Sequence, residues 1–407
     1  MKDFFTLSKN LQLRIAMTFI GVLTYSTIGG SMTIYYNQHM GTGITGILLI
    51  ISSIISFLIG MWSGHFTDLH GRRPTMMIGA LTSTLGAALA AFANSPALFN
   101  PWLTFVGMVT ASFGWGFFNS GASAMMVDIT TPNDRKIVFS LNYWVLNIGV
   151  AVGSGVSGWL FRDHLFLLLL LVVLGDIFQL LIVFFWIEET FDPKHHEAHR
   201  EANIFKAYVL VSKDKTFMLY LIATIFVTIL FVQMDYFIPV HLSSHSFHTS
   251  YFFGLEIYGQ RMLTFMAITN TVLVVTLLST VRRATSHWSN KRGFAIGAAL
   301  MGLGWTIAVM GNSPLWEFLG AFLNVAGELV FVPFEQSLRA DMMNPEQVGT
   351  YTGAFSAVQP IAQVLSGFLV SFSSIYGSLG MGIILILATG LAILPAMRSI
   401  TLYEKQT

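Results

Sequence analysis

Between His164 and Glu188 the sequence reads LFLLLLLVVLGDIFQLLIVFFWI, 23 residues with one charge, Asp176. About 20 mainly apolar residues match the hydrocarbon thickness of a bilayer, where every backbone N–H and C=O needs a partner. A helix supplies those partners within one segment. A membrane barrel strand would alternate apolar and polar residues instead, and this run does not. Counting this one, runs of the kind lie near 12–36, 44–64, 74–94, 102–128, 137–160 and 165–187, then 216–240, 251–280, 293–311, 315–341, 349–372 and 377–399. The expectation is an all-α polytopic membrane protein with twelve transmembrane helices. Composition agrees: the chain is 10% charged, against about 25% for an average soluble domain. Its mean hydropathy is +0.67. Much of the surface must therefore face membrane lipids. A net charge of +1 without a basic tail gives no ground for nucleic-acid binding, and zero cysteines exclude disulfides and thiolate metal sites. The opening MKDFFTLSKN reads as a polar terminus rather than a cleavable signal.

Basic residues set the expected topology. The N-terminus, the even-numbered loops and the C-terminus hold 19 of the 21 Lys and Arg; Arg162 lies in an odd-numbered loop and Arg261 within the eighth run. Both termini are expected in the cytoplasm of a multi-pass cell-membrane protein. Residues 188–215 form the one long polar connection and divide the chain into halves 1–187 and 216–407. Within this linker His195, His196 and His199 have a spacing that can suit a metal, but a solvated connection is the reading adopted and no metal site is expected. The stretch ANIFKAYVLV that follows can form a short amphipathic helix on the membrane face. The halves resemble each other. Asp128-x-x-x-Pro132 and Asp341-x-x-x-Pro345 match at an offset of 213, and MIGALTSTLG in the third run resembles AIGAALMGLG in the ninth. Parallel repeats with a site at their interface are a transporter architecture.

The loop between the second and third runs reads GHFTDLHGRRP, residues 64–74. Gly64 permits close helix packing, Gly71 a tight turn, and Pro74 the start of the next helix. Asp68 can accept from Arg72, Arg73 or the exposed amides of a helix N-terminus. Such a charged loop can hold one conformation and release another. Its second-half counterpart, VRRATSHWSNKRG, lacks the acid and the glycine spacing. The pattern Gly64-x-x-x-Asp68-x-x-Gly71-Arg72-Arg73-Pro74 resembles the signature of the major facilitator superfamily. Fragments along nearly the whole chain, among them NLQLR, SMTIYYNQ, IPVHLS, EIYGQRML and MNPE, resemble its proton-coupled multidrug antiporters. The resemblance implies the major facilitator fold, two pseudo-symmetric six-helix halves, and alternating access without a cofactor. Two departures stand out. NIGVAVGSGVSGWL keeps small residues at Gly149, Gly153 and Gly158 but lacks the antiporter Gly-Pro, and Asn142 stands where the resemblance leads one to expect an acid.

An ionisable group at the bilayer centre costs at least ~2.5–3.5 kcal/mol, so each needs a reason. Glu328 and Glu335 are seven apart on the tenth run, hence on one face; Glu335 can pair with Arg339, whereas Glu328 has no sequence-local cation. Glu328 is therefore the first candidate for coupling protons to substrate, and Asp235 in the seventh run the second. Asp176 has no evident partner and, with Asn142, Glu335 and a Glu256–Arg261 pair on the eighth run, forms an auxiliary polar set. Asp128 and Asp341, ending equivalent helices, are expected to make equivalent gating contacts with loops. Tyr143, Trp144, Phe231, Tyr236 and Phe331 can offer apolar and cation–π surface to a substrate. No Walker A loop, HExxH or GxSxG elbow is present. The expected function is non-enzymatic: a monomeric carrier exporting lipophilic, often cationic small molecules in exchange for protons. Export of a lipid or other native metabolite is the alternative.

Overall fold

The computed structural model of the 407-residue chain describes residues 7, 9–130, 135–190, 211–244, 247–252, 254–343 and 348–405. Helices α1 (Lys9–Met40), α2 (Thr42–His70), α3 (Arg72–Phe92), α4 (Pro101–Asp128), α5 (Arg135–Leu160) and α6 (Leu165–Phe185) come first. Then come α7 (Lys215–Val232), α8 (Phe237–Leu242), α9 (Gly259–Ala284), α10 (Asn290–Met310), α11 (Pro314–Met342), α12 (Val348–Ser356) and α13 (Val358–Tyr403). Two antiparallel pairs of short strands interrupt them: β1 (Asn94–Ser95) with β2 (Leu98–Phe99), and β3 (Ser250–Phe252) with β4 (Leu255–Ile257).

Among the described residues nine helical stretches are long and apolar enough to cross a membrane. One of them, Tyr351–Tyr403, carries the eleventh and twelfth apolar runs and turns at Gly377, whose φ of 63° suits a residue without a Cβ. Helices α4 and α5, of 28 and 26 residues, are also long enough; in α4, glycines, serines and Asn119 dilute the apolar content. Lipid exposure is visible on α6. Leu167, Leu174, Phe178, Leu181 and Phe185 form one exposed apolar stripe, while Leu168, Val172, Asp176, Gln179 and Val183 are buried. A helix apolar on its outward face is suited to hydrocarbon rather than water.

The local signals that start helices are polar caps. Asn100 accepts from Leu103 N at 3.1 Å just before Pro101, and Ser289 accepts from Arg292 N at 3.3 Å. Asp214 accepts both from Phe217 N at 3.0 Å and from the Tyr351 hydroxyl at 2.9 Å, so one side chain caps α7 and ties it to the segment ahead of α13.

The seventh and eighth runs depart from expectation. The seventh breaks at Gln233–Tyr236, because Pro239 lacks an N–H and its ring excludes the carbonyl four residues earlier, that of Asp235. The freed Asp235 oxygen accepts instead from Thr33 Oγ1 at 2.8 Å. Asp235 thus lies in a turn and not in the helix. The eighth run begins as a β-hairpin around Gly254 (φ 79°) and becomes helical only at Gly259. Glu256 is therefore a strand residue opposite Tyr251, not a helical neighbour of Arg261.

The chain forms two compact units, one of residues 1–32 and 51–199, the other of 33–50 and 200–407. Each contains a helix pair joined at glycine-to-backbone distance. In the first, a Cβ added at Gly79, Gly86, Gly107 or Gly114 would run into the backbone of the facing helix, α4 or α3. In the second, the same holds for Gly297, Gly304, Gly320 and Gly327 between α10 and α11. Close backbone approach through small residues is how helices associate where lipid supplies no hydrophobic drive. Gly114→Ala is expected to destabilise the protein by roughly 1–3 kcal/mol, the cost of overpacking. Thermal unfolding of the purified protein in detergent checks this, and Gly155→Ala, at a site where a Cβ meets nothing within 4 Å, serves as the silent control.

Candidate functional site

The GRRP loop builds a polar network at one end of the first unit. Gly71, at φ 98°, sends the chain from α2 into α3 with almost no intervening residue. The first amides of α3 point out of that turn, and the carboxylate of Glu189 receives both: Arg72 N to Oε1 and Arg73 N to Oε2, each at 3.0 Å. An acid on a helix N-terminus is stabilised by the orphan N–H groups and by the helix dipole. Arg73 does the converse at the other helix, donating from Nε to Val183 O (3.3 Å) and from Nη2 to Phe184 O (2.7 Å) at the C-terminus of α6.

Arg72 itself is buried. Its Nε donates to Asp128 Oδ2 at 2.8 Å, which also accepts from Thr190 Oγ1 at 3.1 Å. Nη1 donates to Thr67 O at 3.2 Å and lies 3.6 Å from Asp68, whose side chain is 67% exposed. Two expectations change here. The amides of α3 are capped by Glu189 and not by Asp68, because the i, i+4 geometry leaves Asp68 one turn behind the helix start. Gly64 does not serve close packing, since a Cβ there would meet nothing within 4 Å. Among the described residues Asp128 and Asp341 have different surroundings: Asp341 is exposed, with its side chain 3.5 Å from Ser337 Oγ, and the loop 344–347 that follows it lies outside the described residues.

Further carboxylates sit within the apolar segments. Asp176 is buried on α6 and has a partner after all, Ser83 Oγ of α3 at 2.6 Å. Glu328 of α11 accepts from Asn270 Nδ2 of α9 at 2.8 Å, and no cation lies in ion-pair reach among the described residues. Glu335, one heptad further along, accepts from the Tyr220 hydroxyl at 2.9 Å and lies 3.9 Å from Arg339 Nε. Asp235 is exposed in its turn. Arg261 donates to the carbonyl of Glu256 at 2.8 Å and lies over the Tyr258 ring at 4.7 Å. A fifth acid, Glu317, is fully buried against His241 at 3.1 Å.

The remaining candidates fall into two groups. Phe331 and Tyr236 are buried in the core of the second unit, Phe331 against Phe294 (4.9 Å) and Phe231 (6.0 Å). Tyr143 and Trp144 are exposed on α5, beside Asn142. The Asn142 carbonyl oxygen is buried without a hydrogen bond among the described residues. Gly153 brings α5 close to α1, where a Cβ would lie 2.6 Å from Leu23 O. The three linker histidines, Pro132, Pro345 and ANIFKAYVL lie outside the described residues.

Sequence reasoning missed Glu189, Glu317 and His241. Glu317 carried a usable signal, being a charge near the start of an apolar run. Glu189 did not, because its partner amides lie 116 and 117 residues away.

The Major Facilitator Superfamily pattern matches residues 15–282. The chain belongs to this superfamily. A Na(+), Li(+), K(+)/H(+) antiporter of Planococcus maritimus is 28% identical over 385 residues, covering 91% of each chain. Multidrug resistance protein MdtH of Proteus mirabilis is 23% identical over 337 residues, 82% of this chain and 78% of its own. Among solved structures, the nucleoside transporter NupG superposes with a TM-score of 0.75 at 13% identity, over 96% of this chain and 99% of its own. A POT family transporter complexed with a thioalcohol-conjugated peptide gives 0.74 at 15% identity, over 98% and 96%. Superfamily membership and these transporter likenesses mark the chain as a membrane transporter and not an enzyme.

The GRRP network predicts an order of sensitivities. Asp128→Asn removes the charge closest to a buried guanidinium and is expected to cost about 3–5 kcal/mol. Asp68→Asn, at an exposed side chain, is expected to cost ~0–1 kcal/mol. Glu189→Ala removes a helix cap and falls between them, near ~0.5–2 kcal/mol. Melting temperatures of the three variants side by side check the ranking.

Proposed function

We propose that this superfamily member is a proton-driven antiporter of twelve spans in two six-helix halves, 1–187 and 216–407. Its termini lie in the cytoplasm of the cell membrane, and it exports lipophilic, often cationic compounds. The observation that carries the reading is Glu328: a carboxylate within a membrane-spanning helix, held by the neutral amide of Asn270 and, among the described residues, by no cation. Such a group is retained at a cost only where its charge is used. When ionised it attracts a cation, and when it takes up a proton that attraction is lost. Proton and cationic substrate therefore oppose each other through one carboxylate, and each weakens the other by the same factor. Asp235, exposed in the turn that Pro239 creates, is the second acid in this role. The Arg72–Asp128–Glu189 network, with Asp68 at its edge, governs closure on the cytoplasmic side.

The relatives support both parts of the reading, one being a cation/proton antiporter and the other a multidrug resistance protein. The fragments quoted from the sequence resemble the multidrug transporter LmrP. A second reading, exchange of monovalent metal cations for protons, is favoured by the Planococcus relative, which matches over 91% of both chains. Glu328 serves either cargo, since both are cations.

Efflux from proteoliposomes with an imposed pH gradient separates the possibilities. In the first reading the gradient drives ethidium transport, and Glu328→Gln loses the drive by about 5- to 150-fold while still binding the dye. Gradient-driven flux of sodium or potassium with no ethidium flux would select the second reading. A wild-type protein that transports ethidium at the same rate with and without the gradient would sink proton coupling.

A further inference from the structure

Four helix ends of the second unit meet at one imidazole. His241 lies near the end of α8, Gly311 follows α10, Glu317 lies in the first turn of α11, and Ser378 follows the Gly377 turn within α13. His241 Nε2 is 2.9 Å from Gly311 O and 3.1 Å from Glu317 Oε1, and Nδ1 is 3.0 Å from Ser378 Oγ. Both charged-type side chains have no exposed surface, 0% each. Nε2 faces two acceptors, the Gly311 carbonyl and Glu317 Oε1, so a hydrogen there is divided between them, and no other donor reaches either Glu317 oxygen among the described residues. A sealed carboxylate ordinarily needs donors of its own, and Glu317 has at most a share of one. Helix capping does not account for Glu317, because neither of its side-chain oxygens accepts a backbone N–H among the described residues.

The surroundings tolerate a change of one proton. The Ser378 hydroxyl can donate to Nδ1 of a neutral imidazole or accept from Nδ1–H of an imidazolium, so both forms of His241 fit without moving a neighbour. Gly311 O accepts in either case. Other titratable groups on the packed elements point elsewhere. His248 bonds Asn312 O, the Tyr376 hydroxyl bonds Leu369 O, Arg261 bonds Glu256 O, and Asp235 lies in the turn ahead of α8. Among the described residues the charged partner of each member of the pair is the other. Glu317 also stands in line with the transport acids. Spacings of 11 and 7 residues put Glu317, Glu328 and Glu335 on one face of α11 within about 20°, with Glu317 about 16 Å from Glu328 along the axis.

We propose that Glu317 and His241 form a further proton-binding site at the outer end of the second unit, loaded only when these four helix ends part. That the end is the outer one, and that the proton serves transport, rests on the antiporter reading; proton binding itself does not.

The test uses the full chain in lipid bilayers, labelled with 15N-histidine, and assigns the His241 signals by their absence in His241→Gln. As the pH is lowered, the wild-type His241 signals should pass from the neutral to the protonated pattern. In Glu317→Gln they should remain neutral throughout, and Ser378→Ala, which keeps both charged groups, should move the transition. A His241 that never titrates in the wild type, or titrates identically without Glu317, overturns the proposal. The gradient-driven ethidium assay run beside it separates the two readings. Gradient-driven transport with a silent His241 leaves antiport standing and removes this site; titration dependent on Glu317 in a protein that ignores the gradient keeps the site and removes antiport.

Discussion

Hydrocarbon offers a backbone no hydrogen bonds, and every other feature of this protein follows from meeting that demand inside each helix. Once the peptide groups are satisfied locally, helices have little hydrophobic reason to associate, because lipid tails are as apolar as leucine. The chain answers with contact at the shortest possible range. Gly79, Gly86, Gly107 and Gly114 bring α3 and α4 backbone to backbone, and Gly297, Gly304, Gly320 and Gly327 repeat the construction between α10 and α11. The pairs so fixed then carry polar side chains that could not be placed with accuracy on loose helices. Ser83 of α3 reaches Asp176 on α6, and Glu328 and Glu335 project from α11 toward Asn270 and Tyr220.

Charge is used sparingly and in two different ways. At the GRRP turn, groups of opposite sign are matched: Arg72 with Asp128, Glu189 with helix amides, Arg73 with helix carbonyls. Within the apolar segments Asp176 and Glu328 are held by neutral donors instead. A matched ion pair resists a change in charge, since losing one partner strands the other. A carboxylate held by an amide or hydroxyl can lose its charge without stranding anything. The first arrangement suits a structural junction and the second a group that handles protons.

The helical membrane fold was largely legible because its determinant is one-dimensional: the length of an apolar run needs no knowledge of contacts. The superfamily and the GRRP turn were readable for the same reason, their residues being contiguous. The breaks were harder. Pro239 marks the end of α7 only when its effect four residues back is counted, and the hairpin at Gly254 hides in a run apolar enough to pass for helix. Within the candidate site, what sequence could not supply was partnership. Asp176 looked alone because Ser83 is 93 residues away, and Asp68 looked central because its true competitor, Glu189, lies across the unit. Glu317 stood out only as a charge near the start of an apolar run, and its pairing with His241 becomes visible only from a 3.1 Å separation.

The exchange of caps between α3 and α6 has a mechanical side. Glu189, four residues beyond α6 in the chain's direct continuation, holds the start of α3, while Arg73 of α3 holds the end of α6. Two crossed ties between the same pair of helices leave them no freedom to slide. A shift by one helical turn, about 5.4 Å, would break all four hydrogen bonds together and expose two helix dipoles at once. Any rearrangement of the first unit must therefore carry α3 and α6 as a single rigid strut, with the bending confined to the segments that flank it.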